Sequence, residues 1–157
     1  MKNKFLSKLK TEEKLGLVEP SQEIYESYSD KSDNCLKSAK LLLKNNLYEN
    51  SITMSYYSMY NLLLALLFKT GIKCENHSGS ILLFKMLFKK NDLFKIISDA
   101  KKERIDKQYY VTTEVTKESA KELLKNAEEF NIKIKLFIKN LDNEQIDNIR
   151  KEFESLV

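Results

Sequence analysis

The longest uncharged hydrophobic run of the chain covers residues 52–68 and determines the expected architecture. Apolar residues recur at helical spacing on one side of this run, and a second apolar set lies on much of the opposite side. A helix that is apolar on most of its circumference must be buried by neighbouring elements on most of it. The run therefore predicts a central bundle helix over residues 48–69, with room for one side to pack against a second chain. It is too rich in Ser, Thr and Tyr for a membrane span, which needs about 20 predominantly apolar residues. The helically spaced positions are Ile52, Tyr56, Met59, Tyr60, Leu63, Leu64 and Leu67.

The remaining segments also favour helices, because 3 Gly and 1 Pro leave long uninterrupted stretches. Residues 72–76 are expected to form a loop. The predicted fold is all-α, an antiparallel up-and-down four-helix bundle with extra short helices. We expect residues 1–20 to form an N-terminal arm and residues 21–157 to form a single domain. The other predicted helices cover residues 21–44, 77–90, 93–107 and 117–141, and a short last helix follows Asp142.

The cysteine and histidine content limits metal chemistry. Cys35 and Cys74 form no Cys-x-x-Cys pair, and the chain has one histidine. A zinc site of four Cys or His ligands is therefore impossible within one chain, and we expect no metal and no cofactor. The start Met-Lys-Asn-Lys has no apolar signal-peptide core behind it, so a reduced cytoplasmic protein is expected.

Positive charge is concentrated in one window of the chain. Residues 85–107 hold 8 basic and 4 acidic residues, so this window alone carries the net charge of +4 that the whole chain has. A basic patch can bind phosphate backbones, although a solvated helix face explains the same charges. Two tyrosines follow the window and are able to stack on bases. The candidate RNA-binding residues are Lys101, Lys102, Arg104, Lys107, Tyr109 and Tyr110.

Several short motifs occur in a characteristic order between residues 34 and 141. They are Tyr56-Tyr57-Ser58-Met59-Tyr60, Ala65-Leu66-Leu67, His77-Ser78-Gly79, Leu83-Phe84, Arg104 with Gln108-Tyr109, and Ala120 with Ala127-Glu128-Glu129-Phe130. In this order the chain resembles the HEPN domain, and in particular its small stand-alone prokaryotic group. The resemblance implies an up-and-down helical bundle that pairs as a homodimer. It also implies a minimal nucleotidyltransferase as a partner protein.

Many HEPN proteins cleave RNA without a metal, in toxin–antitoxin or antiviral systems, through an Arg followed after four to six residues by a His. The chain departs from this pattern, because no His follows Arg104 in that window. Cleavage through the 2′-hydroxyl needs a base that titrates near neutrality, as His does. Tyr109, with an ordinary pKa of about 10, is a poor base at neutral pH. Arg104 is still able to neutralise a phosphate.

The candidate catalytic residues are therefore Arg104, His77 and Tyr109, each with an alternative structural role. Arg104 either contacts an anion, braces the dimer or forms a structural salt bridge. His77 either replaces the missing catalytic imidazole or fixes a loop at a helix start. Tyr109 would orient the site.

Three tyrosines of the central helix, Tyr56, Tyr57 and Tyr60, are interpreted as core or dimer-packing residues, because their spacing matches buried stripes. Base stacking is the alternative role.

Two functions follow from the whole pattern. The first is a HEPN-type toxin, or a degenerate toxin subunit, that works on RNA with a nucleotidyltransferase. The second is a non-catalytic dimeric adaptor that docks a partner protein.

Overall fold

A computed structural model describes residues 1–109 and 114–157, apart from the side chains of residues 106–109. Helices dominate the described chain, which confirms the all-α prediction. The elements, in chain order, are α1 (Lys4–Thr11), β1 (Leu15–Leu17), α2 (Gln22–Lys44), α3 (Tyr48–Lys69), β2 (Ile72–Cys74), α4 (His77–Phe88), α5 (Asn91–Tyr109), α6 (Lys117–Lys139) and α7 (Asn143–Leu156).

Helix α3 is the centre of the bundle and packs against α2, α5 and α6. Its middle carries Tyr56, Met59, Leu62 and Leu66, all fully buried. Helices α2 and α3 form an antiparallel hairpin around a tight turn in which Asn46 has a φ of 62°. Helix α4 packs on α3 and α5, with α1 and α7 on its other sides. The uncharged run is therefore covered within one chain, as a central helix requires.

Small polar side chains fix α2 against α3 where the two helices pack closely. Ser32 Oγ donates to the carbonyl of Ser58 at 2.7 Å, and Ser58 Oγ donates to the carbonyl of Ser32 at 2.9 Å. From α6, Asn131 Nδ2 donates to Ser58 Oγ at 2.8 Å. Buried polar groups need partners, so this network favours one register among the three helices.

A two-stranded antiparallel sheet joins the N-terminal segment to the bundle. Leu15 pairs with Cys74 and Leu17 pairs with Ile72. The expectation of a loop over residues 72–76 is therefore wrong for its first three residues. Three-residue strands are too short to show a period-two pattern, so the sequence carries little signal for them. In α1, Leu6 is buried in the same core as the bundle helices.

The last helix is tied to the end of α3 by one arginine. Arg150 Nη1 donates to the carbonyls of Val18 and Gly71, each at 2.8 Å, and to that of Thr70 at 3.2 Å. Gly71 itself has a φ of +75°, which side-chain-bearing residues rarely adopt. A Cβ at Gly71 would lie 1.9 Å from Arg150 Nη1 and 2.5 Å from the Val18 carbonyl oxygen. Glycine is therefore required both for conformation and for space.

Within residues 1–109 and 114–157, no helix combines the length and the apolar character that crossing a bilayer demands.

The first prediction concerns Gly71. Gly71→Ala should lower the free energy of unfolding by about 3 kcal/mol, because the new methyl group displaces Arg150 and strains the turn. Gly16→Ala is the matched control, since nothing lies within 4 Å of a Cβ there. It should change stability by less than about 0.5 kcal/mol. Urea denaturation followed by circular dichroism measures both, and equal effects of the two substitutions would contradict the role assigned to Gly71.

Candidate functional site

The candidate site lies where the middle of α3 meets the start of α4 and the second half of α5. His77 is the first residue of α4, directly after the N-cap Asn76, whose side chain accepts a hydrogen bond from the Gly79 amide at 2.8 Å. Asparagine is a preferred residue at this position, because its side chain satisfies an otherwise unpaired amide of the first turn. The cap therefore holds His77 in place at the edge of the bundle.

Three tyrosines of α3 surround the His77 imidazole. Tyr60 stacks on it with ring centroids 3.8 Å apart, and Tyr57 meets it edge-on at 6.2 Å. Tyr56 Oη lies 2.8 Å from His77 Nδ1, in a hydrogen bond that either atom can donate. The positions i and i+4 place Tyr56 and Tyr60 on one side of α3. The imidazole is therefore oriented by stacking and by a hydrogen bond together.

Arg104 reaches the same tyrosines from α5. Its Nη1 donates to the Tyr57 hydroxyl at 3.1 Å. Its guanidinium carbon lies 5.1 Å from the ring centroid of Tyr56 and 5.4 Å from that of Tyr57, within the range of cation–π attraction. Its Nε is buried and has no hydrogen-bond partner among the described residues. The fold thus brings a guanidinium and an imidazole, far apart in sequence, to one pair of tyrosines.

A second cation borders the imidazole. Lys101, one turn before Arg104 on α5, donates from Nζ to Ser78 Oγ, next to His77. Burial, followed by the charge of Arg104, lowers the pKa of Lys101. Two cationic side chains therefore flank one side of the site, which is the arrangement that anions prefer.

The environment keeps the aromatic groups of the site neutral. Burial first, and then the charges of Arg104 and Lys101, lower the pKa of His77 below its usual value of about 6.5. Burial raises the pKa of Tyr60 to about 12 and also raises that of Tyr56. At neutral pH the site therefore holds a neutral imidazole among protonated tyrosines and fixed positive charges. It can bind an anion and can accept or donate a proton.

The predicted site residues fall into two groups. The structure brings Arg104, His77 and Lys101 together, whereas the Lys102 side chain is exposed to solvent. The side chains of Lys107 and Tyr109, and all of Tyr110, lie outside the described residues, so the roles expected of them stay predictions.

Tyr56 and Tyr60 are buried, at 0% and 6% exposure, whereas Tyr57 is half-buried and packs against the core, and dimer packing by these tyrosines stays a prediction. These tyrosines also line the site, and the sequence analysis did not predict that they contact Arg104. Tyr57 as the partner of Arg104, and Ser78 as the partner of Lys101, were missed. The one available signal for Ser78 was its position directly after the only histidine.

Among the described residues, no group of three His, Cys, Asp or Glu side chains is placed to share a metal ion.

Comparison with known proteins gives consistent results. The family model of the HEPN domain matches residues 25–154. A protein of Methanocaldococcus jannaschii named "Putative toxin" is 30% identical over 132 residues, which cover 80% of this chain and 90% of that protein. A "UPF0332 protein" of Thermotoga maritima is 29% identical over 125 residues, covering 76% of this chain and 95% of that protein. The resemblance found in the motifs is confirmed.

The second prediction uses the fact that the chain has one histidine, so its imidazole gives a single proton NMR titration. The pKa of His77 should lie below about 6.5 in the folded protein. Arg104→Gln should raise it, because the substitution removes a neighbouring positive charge. Lys95→Gln, which removes a charge from an exposed position of α5, is the control and should leave the pKa unchanged. A normal pKa that Arg104→Gln does not move would contradict the described electrostatics.

Proposed function

This chain belongs to the HEPN family, and on that premise we propose that it is a HEPN-type toxin that binds RNA at Arg104 and His77 and cleaves it without a metal. The single observation that carries the proposal is the convergence of these two side chains on Tyr56 and Tyr57. The relatives named "Putative toxin" support the toxin assignment.

The family pattern of an Arg followed after four to six residues by a His is incomplete here, and the geometry supports a substitute. His77 comes from the start of α4 and Arg104 from α5, and both contact the same tyrosine pair. The chemistry of cleavage depends on where the two groups lie and not on their separation in sequence. His77 thus lies in the same site as Arg104, although the usual spacing of the two residues in the sequence is absent.

The proposed reaction is a transesterification within the RNA. In the tautomer in which Nδ1–H donates to the Tyr56 hydroxyl oxygen, Nε2 of the neutral His77 is unprotonated and takes the proton of the 2′-hydroxyl. The 2′-oxygen then forms a bond to the adjacent phosphorus, and the bond from phosphorus to the 5′-oxygen breaks. The leaving 5′-oxygen receives a proton from the imidazolium, directly or through water. The products are a 2′,3′-cyclic phosphate and a 5′-hydroxyl.

The surroundings of His77 suit both proton transfers. Its lowered pKa keeps the imidazole unprotonated at neutral pH, which a base requires. Once protonated, the imidazolium lies near Arg104 and Lys101, whose charges favour release of the proton. The Arg104 guanidinium stabilises the extra negative charge on the phosphate oxygens.

A homodimer and a nucleotidyltransferase partner belong to the same proposal. Two observations support these partners: the chain belongs to the HEPN family, and large apolar side chains are exposed on the described surface. Ile132 and Leu136, one turn apart on α6, are 68% and 60% exposed, and Leu41 on α2 is 62% exposed. Exposed large apolar side chains of this kind also favour the second candidate function, a non-catalytic dimeric adaptor that docks another protein.

The third prediction tests cleavage directly. Purified protein should cleave end-labelled RNA in EDTA and leave 2′,3′-cyclic phosphate ends. His77→Ala should reduce the rate by at least about 100-fold, the usual contribution of a general base. Arg104→Lys keeps the charge but loses the planar fork, and should still reduce the rate by about ten-fold. Lys95→Gln is the control for an unspecific loss of positive charge.

Two other results would count against catalysis. RNA binding that weakens with salt, without cleavage, would leave an RNA-binding HEPN protein that lacks the chemistry. Neither cleavage nor binding, in a correctly folded protein, would favour the adaptor function.

The fourth prediction concerns pH. Because His77 must be unprotonated to act as a base, kcat/KM for cleavage, which reports the protein before RNA binds, should fall only when the pH drops below the lowered pKa of His77. The rate should therefore be nearly constant from pH 7 down to about 6.5, the usual pKa of histidine. In Arg104→Gln, the midpoint of the pH dependence of the remaining cleavage should move to higher pH, because the pKa of His77 rises. A rate that climbs steeply between pH 7 and 9 would assign the base to another group.

A further inference from the structure

A cavity of about 210 Å³ opens between α4 and α5 beside the proposed catalytic site. Its wall nearest that site consists of Ser78, which follows His77, and Lys101, which precedes Arg104 by one turn. The Lys101 ammonium donates to the Ser78 hydroxyl across this wall. A ligand whose phosphate contacts Arg104 would therefore have this cavity within reach. The lining residues are Ser78, Ile81, Leu82, Phe94, Ser98 and Lys101.

The lining combines an apolar interior with a few polar groups, as small-molecule sites do. Ile81 is buried, and the half-buried ring of Phe94 holds the Lys85 ammonium 5.0 Å from its centroid. Ser78 and Ser98 supply hydroxyls that can donate or accept a hydrogen bond, and Lys101 supplies a donor. The volume is below the roughly 300–1,000 Å³ typical of sites for drug-sized ligands. The cavity therefore suits one ring system better than a whole nucleotide.

We propose that this cavity binds one nucleobase of the RNA whose phosphate is held at Arg104, and so selects the cleavage position. The proposal rests on the proposed function. Phe94 and the neighbouring aliphatic side chains cover the flat base, while the polar groups read its edge. The Lys101 ammonium is a donor only, so at the edge where adenine and cytosine carry an exocyclic amine it favours O6 of guanine or O4 of uracil.

The test measures binding of a single base without cleavage. The probes are fluorescent heptamers of abasic, 2′-deoxy backbone with one 2′-O-methyl nucleotide at the centre, carrying guanine, uracil, adenine or cytosine. A fully abasic heptamer measures binding to the phosphates alone. Dissociation constants are measured by fluorescence anisotropy at one fixed salt concentration. The guanine or uracil heptamer should bind about ten-fold more tightly than the abasic one.

Substitutions then separate the base site from the phosphate site. Phe94→Leu keeps an apolar side chain but removes the aromatic face, and should bring the preferred heptamer close to the abasic affinity. Ser98→Ala should reduce the preference among bases with little effect on the abasic heptamer. Phe137→Leu, which removes a half-buried ring that packs on Phe88, is the matched control and should keep the preference. Arg104→Gln should weaken all five heptamers by a similar factor and preserve their order.

Three results would overturn the nucleobase assignment. One is equal affinity of all five heptamers for the unsubstituted protein. Another is a preference that survives Phe94→Leu. The third is binding of free guanosine or uridine monophosphate as tight as that of the heptamers, which would make the cavity a mononucleotide site. If Arg104→Gln changes no affinity while Phe94→Leu removes the preference, the base site stands and the phosphate site of the proposed function fails.

Discussion

The structure depends on the burial of a helix that carries many hydroxyl groups. Helix α3 is covered on most of its surface, yet it places the side chains of several serines and tyrosines inside the protein. Most of these hydroxyls have a hydrogen-bond partner, because an unpaired polar group in the interior is costly; on α3, Ser55 Oγ is the one for which the described residues supply none. Ser51 donates to the Ala39 carbonyl at 2.8 Å, and Ser58 exchanges hydrogen bonds with Ser32. On the other side, Tyr56 pairs with His77. Helix α3 thus supplies both the hydroxyls that fix its packing against α2 and the tyrosine that holds His77 in the candidate site.

The candidate site has an excess of positive charge that a bound anion would neutralise. Arg104 and Lys101 lie near His77 and lower its pKa together with burial. A depressed histidine pKa means that the unfolded chain binds more protons than the folded one. The contribution of His77 to stability is therefore complete above about pH 6.5 and decreases as the pH falls towards its folded pKa. A bound phosphate would offset the neighbouring charges and raise that pKa. Anion binding and protonation of His77 are therefore coupled.

Local sequence signals predicted the helices well and the site only in part. Ser21, Thr116 and Asp142 cap α2, α6 and α7 as their residue types favour. The periodicity of α3 placed Tyr56 and Tyr60, which are both buried, on one stripe, but the same packing role was predicted for Tyr57, which is half-buried. By contrast, the three-residue strands β1 and β2 are too short for a local pattern to reveal their pairing. The meeting of His77 with Arg104 likewise depends on how α4 and α5 pack on α3, which no spacing in the sequence reveals.

The position of His77 explains how a HEPN chain can lack the usual histidine after its arginine and still place an imidazole beside it. Helix α5 supplies Arg104, and the cap at Asn76 orients the first turn of α4 so that His77 reaches Tyr56. The tyrosines are the common element, since Tyr57 accepts from Arg104 and Tyr60 stacks on His77. Aromatic side chains buried for stability can therefore position two functional groups that come from different helices. A sequence pattern that places the histidine four to six residues after the arginine detects only one of those groups, whereas the three-dimensional arrangement contains both.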